Sequence, residues 1–74
     1  MTQTLLSGPA VHVAPELREH CDRCGVNAKL TVALAQGGGL SFCGHHANRY
    51  ADHIRTIAAA ITLESGFTWR GNTA

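Results

Sequence analysis

Cys21-Asp22-Arg23-Cys24-Gly25 and, after an interval of 18 residues, Cys43-Gly44-His45-His46 decide how this chain is read. Written as spacing, the pattern is C-x2-C followed by C-x2-H. Two tight pairs of sulfur and nitrogen donors are how a protein builds a closed tetrahedral zinc site, because one turn of backbone can aim both side chains of a pair at one ion. All three cysteines of the chain are used, and no odd thiol remains. Cys21, Cys24, Cys43 and His46 are therefore expected to hold one structural Zn2+ per chain. His45 is the alternative fourth ligand. His46 is preferred because it repeats the spacing of the first pair and falls on the same face of a helix as Cys43. His12, His20 and His53 are expected at the surface.

Outward from the ligands, the intervening residues supply a hairpin. Ala28 to Ala35 alternates, with Leu30, Val32 and Leu34 on one side and Lys29, Thr31 and Ala33 on the other. That is the period of a half-buried strand. Gln36-Gly37-Gly38-Gly39 reads as a turn, and Leu40-Ser41-Phe42 resumes the strand and delivers Cys43. The glycines are not a phosphate loop, since no Lys, Ser or Thr follows in that register. From Gly44 to Glu64, Ala47, Tyr50, Ala51, Ile54, Ile57, Ala58 and Ile61 form an apolar stripe at helical spacing. The expected architecture is a small α+β zinc-stabilised domain, a treble clef of knuckle, hairpin and C-terminal helix. An ordinary zinc ribbon, with the second pair on another turn, is the alternative.

The flanks are less patterned. Residues 1–19 are expected to form an arm, either disordered or laid against the body, with Val11-His12-Val13 extended and one helical turn at Pro15–Glu19. The domain proper is placed at 20–65 and a tail at 66–74. A helix of twenty residues rises about 30 Å, more than a short hairpin can cover. Its far end therefore needs another apolar surface: either the arm, through Leu5, Leu6, Val11 and Val13, or a partner. In the second case Ile54, Ile57, Ala58 and Ile61 would form a homodimer face. Phe67 and Trp69 suit either an interface anchor or a cap on a small core.

The segments Cys-Asp-Arg-Cys-Gly (21–25), the Gly-rich hairpin turn (37–39) and Phe-Cys-Gly-His-His-Ala (42–47) resemble the small uncharacterised zinc-binding proteins of actinobacteria and their bacteriophages. The resemblance covers residues 20–55. It implies Cys21, Cys24, Cys43 and His46 as ligands, and it implies no activity.

Size and charge narrow the function. Seventy-four residues with four aromatics leave a thin core, which a bound metal would reinforce. The formal charge is +1, and six basic residues are nearly balanced by five acids. Three thiolates and one divalent ion would bring the total near zero. A nucleic-acid module using Arg18, Arg23, Lys29, Arg49 and Arg55 is therefore the second reading, behind a non-catalytic zinc module that binds protein. Four protein ligands leave no open position for catalysis, and no Glu stands near enough to act as a base. The catalytic His and loop Asn of His-Asn-His nucleases, which share the treble clef, have no counterpart between Val26 and Gly39. Redox sensing through the thiolates has no supporting signal. Metal-spaced cysteines and the lack of a leader or membrane-length apolar run suggest a cytoplasmic protein, in a bacterium or in a phage host.

Overall fold

The computed structural model describes residues 9–72 of the chain. Six elements follow in order: β1 (Ala10–Ala14), β2 (Leu30–Leu34), β3 (Gly39–Phe42), α1 (Gly44–Arg49), α2 (Ala51–Ile57) and β4 (Ala58–Glu64). The fold is a small α+β domain, with the two helical segments against a four-stranded sheet of order β1-β4-β2-β3.

The alternating stretch forms β2 and pairs with β3 as an antiparallel hairpin, Leu30 opposite Phe42 and Val32 opposite Leu40. Gly37 and Gly38 turn the chain at φ 103° and 79°, values open to glycine at little steric expense. Cys43 then leaves the strand in an extended conformation and caps α1, its Sγ accepting the His46 N–H at 3.5 Å. Helical bonding passes through Tyr50, whose N–H reaches the His46 carbonyl while its own carbonyl accepts from Ile54. The two segments are thus one helix with a distortion at Tyr50, where φ is −105° and ψ 23°.

That helix is shorter than its sequence suggested. It was expected to run to Glu64, but it stops at Ile57, and Ala58 turns extended. Residues 58–64 become β4, the strand between β1 and β2, parallel to the first and antiparallel to the second. Ile61 continues the helical stripe, but Ile61 and Leu63, two residues apart, share a face only in a strand. The tertiary setting decides for the strand: it gives the segment hydrogen-bonding neighbours on both sides and buries Ile61 fully and Leu63 almost so. Ile54, Ile57, Ala58 and Ile61 therefore do not form one helical face. Ile54 and Ile61 lie inside the chain's own core, together with Leu30, Val32, Phe42, Ala47, Ala51, Leu63 and Trp69.

Both flanks join the body. Residues 10–14 pair with β4, Val11 beside Ile61 and Val13 beside Leu63. Val11 packs against the core. Leu5 and Leu6 lie outside the described residues. Pro15–Glu19 is not helical; instead the Leu17 N–H donates to the Glu64 carboxylate at 3.1 Å, and the other carboxylate oxygen meets Lys29 Nζ at 2.6 Å. At the other end Trp69 is buried beneath α1, with Nε1 donating to the Ala47 carbonyl at 2.7 Å. The segment read as a tail therefore closes the core.

Candidate metal centre

The first ligand pair is shaped by the backbone around it. The Gly25 N–H returns to the Cys21 carbonyl at 2.8 Å, with Gly25 at φ 84°, a tight knuckle that a side chain would strain. Asp22 clasps the knuckle to β3: its N–H donates to the Ser41 carbonyl at 2.8 Å, and its carboxylate accepts the Ser41 N–H at 2.7 Å. The second pair is shaped by the entry to α1, one residue before the helix and one turn into it.

These two units bring Cys21, Cys24, Cys43 and His46 together, with all four donor atoms within 4.8 Å of one another. Cys24 Sγ lies 3.8 Å from Cys43 Sγ. His46 Nδ1 lies 3.5 Å from Cys21 Sγ and 3.4 Å from Cys43 Sγ. A tetrahedral ion bound at about 2.3 Å to sulfur and about 2.0–2.1 Å to imidazole requires edges of about 3.8 Å between sulfurs and about 3.6 Å from sulfur to nitrogen. The three separations match those edges to within about 0.2 Å. Three thiols and an imidazole at these spacings could hold one metal ion, and the four residues expected from the sequence are the four that converge.

Electrostatics fit the same purpose. Burial pushes the Cys21 thiol up, but the main-chain N–H groups of Cys43, Arg23 and Cys24 and the Cys24 side chain outweigh it. They hold the thiol down at about 6, from an ordinary 9.0. At Cys24 the Val26 N–H favours the thiolate, yet desolvation and the neighbouring Cys21 and Cys43 sulfurs prevail and raise it. One thiolate is thus favoured and the next resisted, a conflict that a cation among them relieves.

Around the donors, Tyr50 lies nearly parallel to the His46 ring at 7°, with centroids 6.0 Å apart. Its hydroxyl accepts from Arg23 at 3.4 Å, and the Arg23 guanidinium stands 5.4 Å from its ring centre. The Arg23 side chain thus packs on Tyr50, while its N–H donates to Cys21 Sγ at 3.4 Å. His45 is exposed, edge-on to His46 at 5.0 Å, and is not among the converging donors. His12, His20 and His53 are exposed. Tyr50 and Asp22 are the supporting residues that spacing alone did not single out. Tyr50 follows His46 by four positions on one helix, a signal present in the sequence but also satisfied by core packing.

Among the described residues, no helix is long and apolar enough to cross a membrane. No curated protein and no solved structure matches the chain. Residues 15–68, which hold all four converging ligands, match a domain of unknown function designated DUF7455. With most of its length covered by that match, the chain belongs to the DUF7455 family.

Proposed function

We propose that the chain is a non-catalytic module in which one structural Zn2+, held by Cys21, Cys24, Cys43 and His46, fixes a protein-binding surface. Zinc is the metal that suits three thiolates and an imidazole at tetrahedral edges in a closed set. Knuckle, hairpin and following helix are read as a treble clef, extended by β4 and β1. Four protein donors leave no place for a reacting water, which is why the role assigned to the ion is structural.

The observation that carries the binding role is an open groove of about 380 Å3 beside the knuckle. Leu40, Phe42, Tyr50 and Ile57 give it an apolar floor, with Asp22, Arg23 and His53 at its margin. An apolar, partly aromatic cleft with a polar rim suits an anchor side chain from a protein partner. Its walls come from both ligand-bearing units, so the metal that joins those units also holds the groove open.

A nucleic-acid role is the second reading, favoured by the two guanidiniums near Tyr50, Arg23 at 5.4 Å and Arg49 at 5.9 Å. Three of the six basic residues are already engaged: Lys29 with Glu64, Arg55 with the Gly71 carbonyl and Arg70 with the Asn48 carbonyl. Arg18, Arg49 and Arg23, the last held at its guanidinium by Tyr50 alone among the described residues, are left for phosphate, enough for a log–log salt slope no steeper than about −3.

The test is to pan a random-peptide display library on zinc-loaded protein at low and high salt, alongside titration with single-stranded and duplex oligonucleotides. Salt-tolerant peptide binding that Ile57→Asp abolishes supports the protein reading. Oligonucleotide binding with a slope near −3 and no peptide selection replaces it with the second.

A further inference from the structure

The sheet's two edges differ. At β3 the outer main-chain groups of Ser41 are both taken by Asp22, so the knuckle covers that part of the edge. At β1 the Ser65 N–H donates to the Ala14 carbonyl at 2.7 Å. Main-chain groups alternate sides along a strand, so Ala10, His12 and Ala14 face β4, and the N–H and C=O of Val11 and Val13 face outward. Among the described residues, nothing bonds to those outward groups. Val13 is 68% exposed, the most exposed large apolar side chain described. Edges left open in this way normally carry lysine, a bulge or an internal proline. This one carries none of them, and its prolines, Pro9 and Pro15, stand just outside its ends.

The sequence across this edge reads the same in both directions: Pro9-Ala10-Val11-His12-Val13-Ala14-Pro15. We infer that β1 pairs antiparallel with β1 of a second copy, about a two-fold axis at His12, joining two four-stranded sheets into one of eight. In that register Val11 faces Val13 of the other copy, and both outward groups of each are satisfied. His12 faces His12 as a pair without main-chain bonds, as it must, because its own main-chain groups point to β4. Pro9 meets Pro15 at each end, where the absence of an N–H ends the ladder without stranding a carbonyl–amide pair inside it. A shift of two residues would set a proline against a valine that needs a donor. An isologous contact of this kind requires a patch complementary to itself, which a palindromic edge strand provides. The inference concerns the edge opposite the knuckle and does not depend on the groove.

The experiment uses the full zinc-loaded chain and two kinds of variant. Val13→Pro removes an outward N–H and leaves the bonds to β4 in place. Sedimentation velocity should give twice the 7.8 kDa chain mass for the wild type at sufficient concentration. Val13→Pro should weaken the dimer at least tenfold while Trp69 emission and metal content stay unchanged. Cysteine substitution then reads the register. His12→Cys places two Cα atoms about 4.5 Å apart, within the span of a disulfide, and should cross-link under mild oxidation. Ala14→Cys places its two copies roughly 13 Å apart, four residues along the strand, and should not. Mixed Ala10→Cys and Ala14→Cys proteins should join to each other. A wild type that stays monomeric at millimolar concentration overturns the inference. So does a dimer that Val13→Pro leaves intact, or one in which Ala14→Cys cross-links and His12→Cys does not.

Discussion

Stripping the metal is the perturbation with the largest expected effect. A chain of 74 residues carries a net stability of about 4–11 kcal/mol at about 0.05–0.15 kcal/mol per residue. Structural zinc contributes about 10–16 kcal/mol in zinc-finger peptides at neutral pH. The second figure equals or exceeds the first, so little or no stability should remain without the ion. The structure says where the loss falls. Without a cation, three sulfurs share a site in which Cys21 and Cys43 are buried, and the knuckle is held to β3 chiefly by the Asp22–Ser41 clasp. Trp69 is the only tryptophan and is 2% exposed, so its emission reports the closed core directly. Titration with a high-affinity chelator at neutral pH under reducing conditions should shift that emission to the red and abolish near-ultraviolet dichroism. Both should return when stoichiometric Zn2+ is restored. If metal analysis finds no ion while the Trp69 spectrum and a cooperative melt persist, the apolar core suffices alone and the reasoning fails.

Replacing the imidazole donor separates the two adjacent histidines: His46→Ala should weaken metal binding more than about 100-fold, whereas His45→Ala should stay within the roughly tenfold change of an outer contact, both read by competition with a chromogenic chelator. Acidification should release the ion. The Cys21 thiol is depressed in the folded chain, so its contribution to stability is complete above its unfolded value of 9.0 and is lost as pH falls through about 6. Metal competes with protons and moves the midpoint lower still, and release near neutral pH in a chelator-indicator titration would contradict the assignment. Gly71→Ala would bring a methyl to 2.5 Å from the Trp69 ring; overpacking of this kind costs about 1–3 kcal/mol and should lower the melting temperature by several degrees without changing metal stoichiometry.

The convergence of Cys21, Cys24, Cys43 and His46 was legible because the spacing that metal coordination demands is local. Cys21 and Cys24 must share one turn and Cys43 and His46 one helix entry, and those restrictions survive whatever the rest of the chain does. The β2–β3 hairpin was legible for a similar reason: alternation on both sides of three glycines admits few other structures. Residues 58–64 were not. Ala58-Ala59-Ala60 favours a helix, and Ile61 sits where the helical stripe would place it. Only the slot between β1 and β2 makes the extended form better, and that slot is assembled from segments far away in sequence. The same dependence hid β1, whose five residues have no reason to be a strand until β4 lies beside them. Trp69 was recognised as either a partner's anchor or a core cap. Its N–H bond to Ala47 settles it as the second, a choice that turns on which carbonyl lies within reach.

The pairing of β1 with β4 sets the order in which the molecule can be built. Ala10 meets Ala60 and Ala14 meets Glu64, fifty residues apart, whereas knuckle, hairpin and helix entry are joined by contacts much closer in sequence. On a ribosome, β1 emerges before β4, the last of the described strands to be made. The segment that carries the four converging residues can close before β4 has left the exit tunnel, since all four precede Ala47. β4 must then enter beside β2 before β1 has a place to dock, and the closure of that long loop is entropically slow. If the four converging residues take up the proposed ion as soon as they emerge, a newly made chain has a stage in which the ion is held and the edge of β2 is bare. At that stage, an incoming strand from another molecule can compete for the place that β4 will fill.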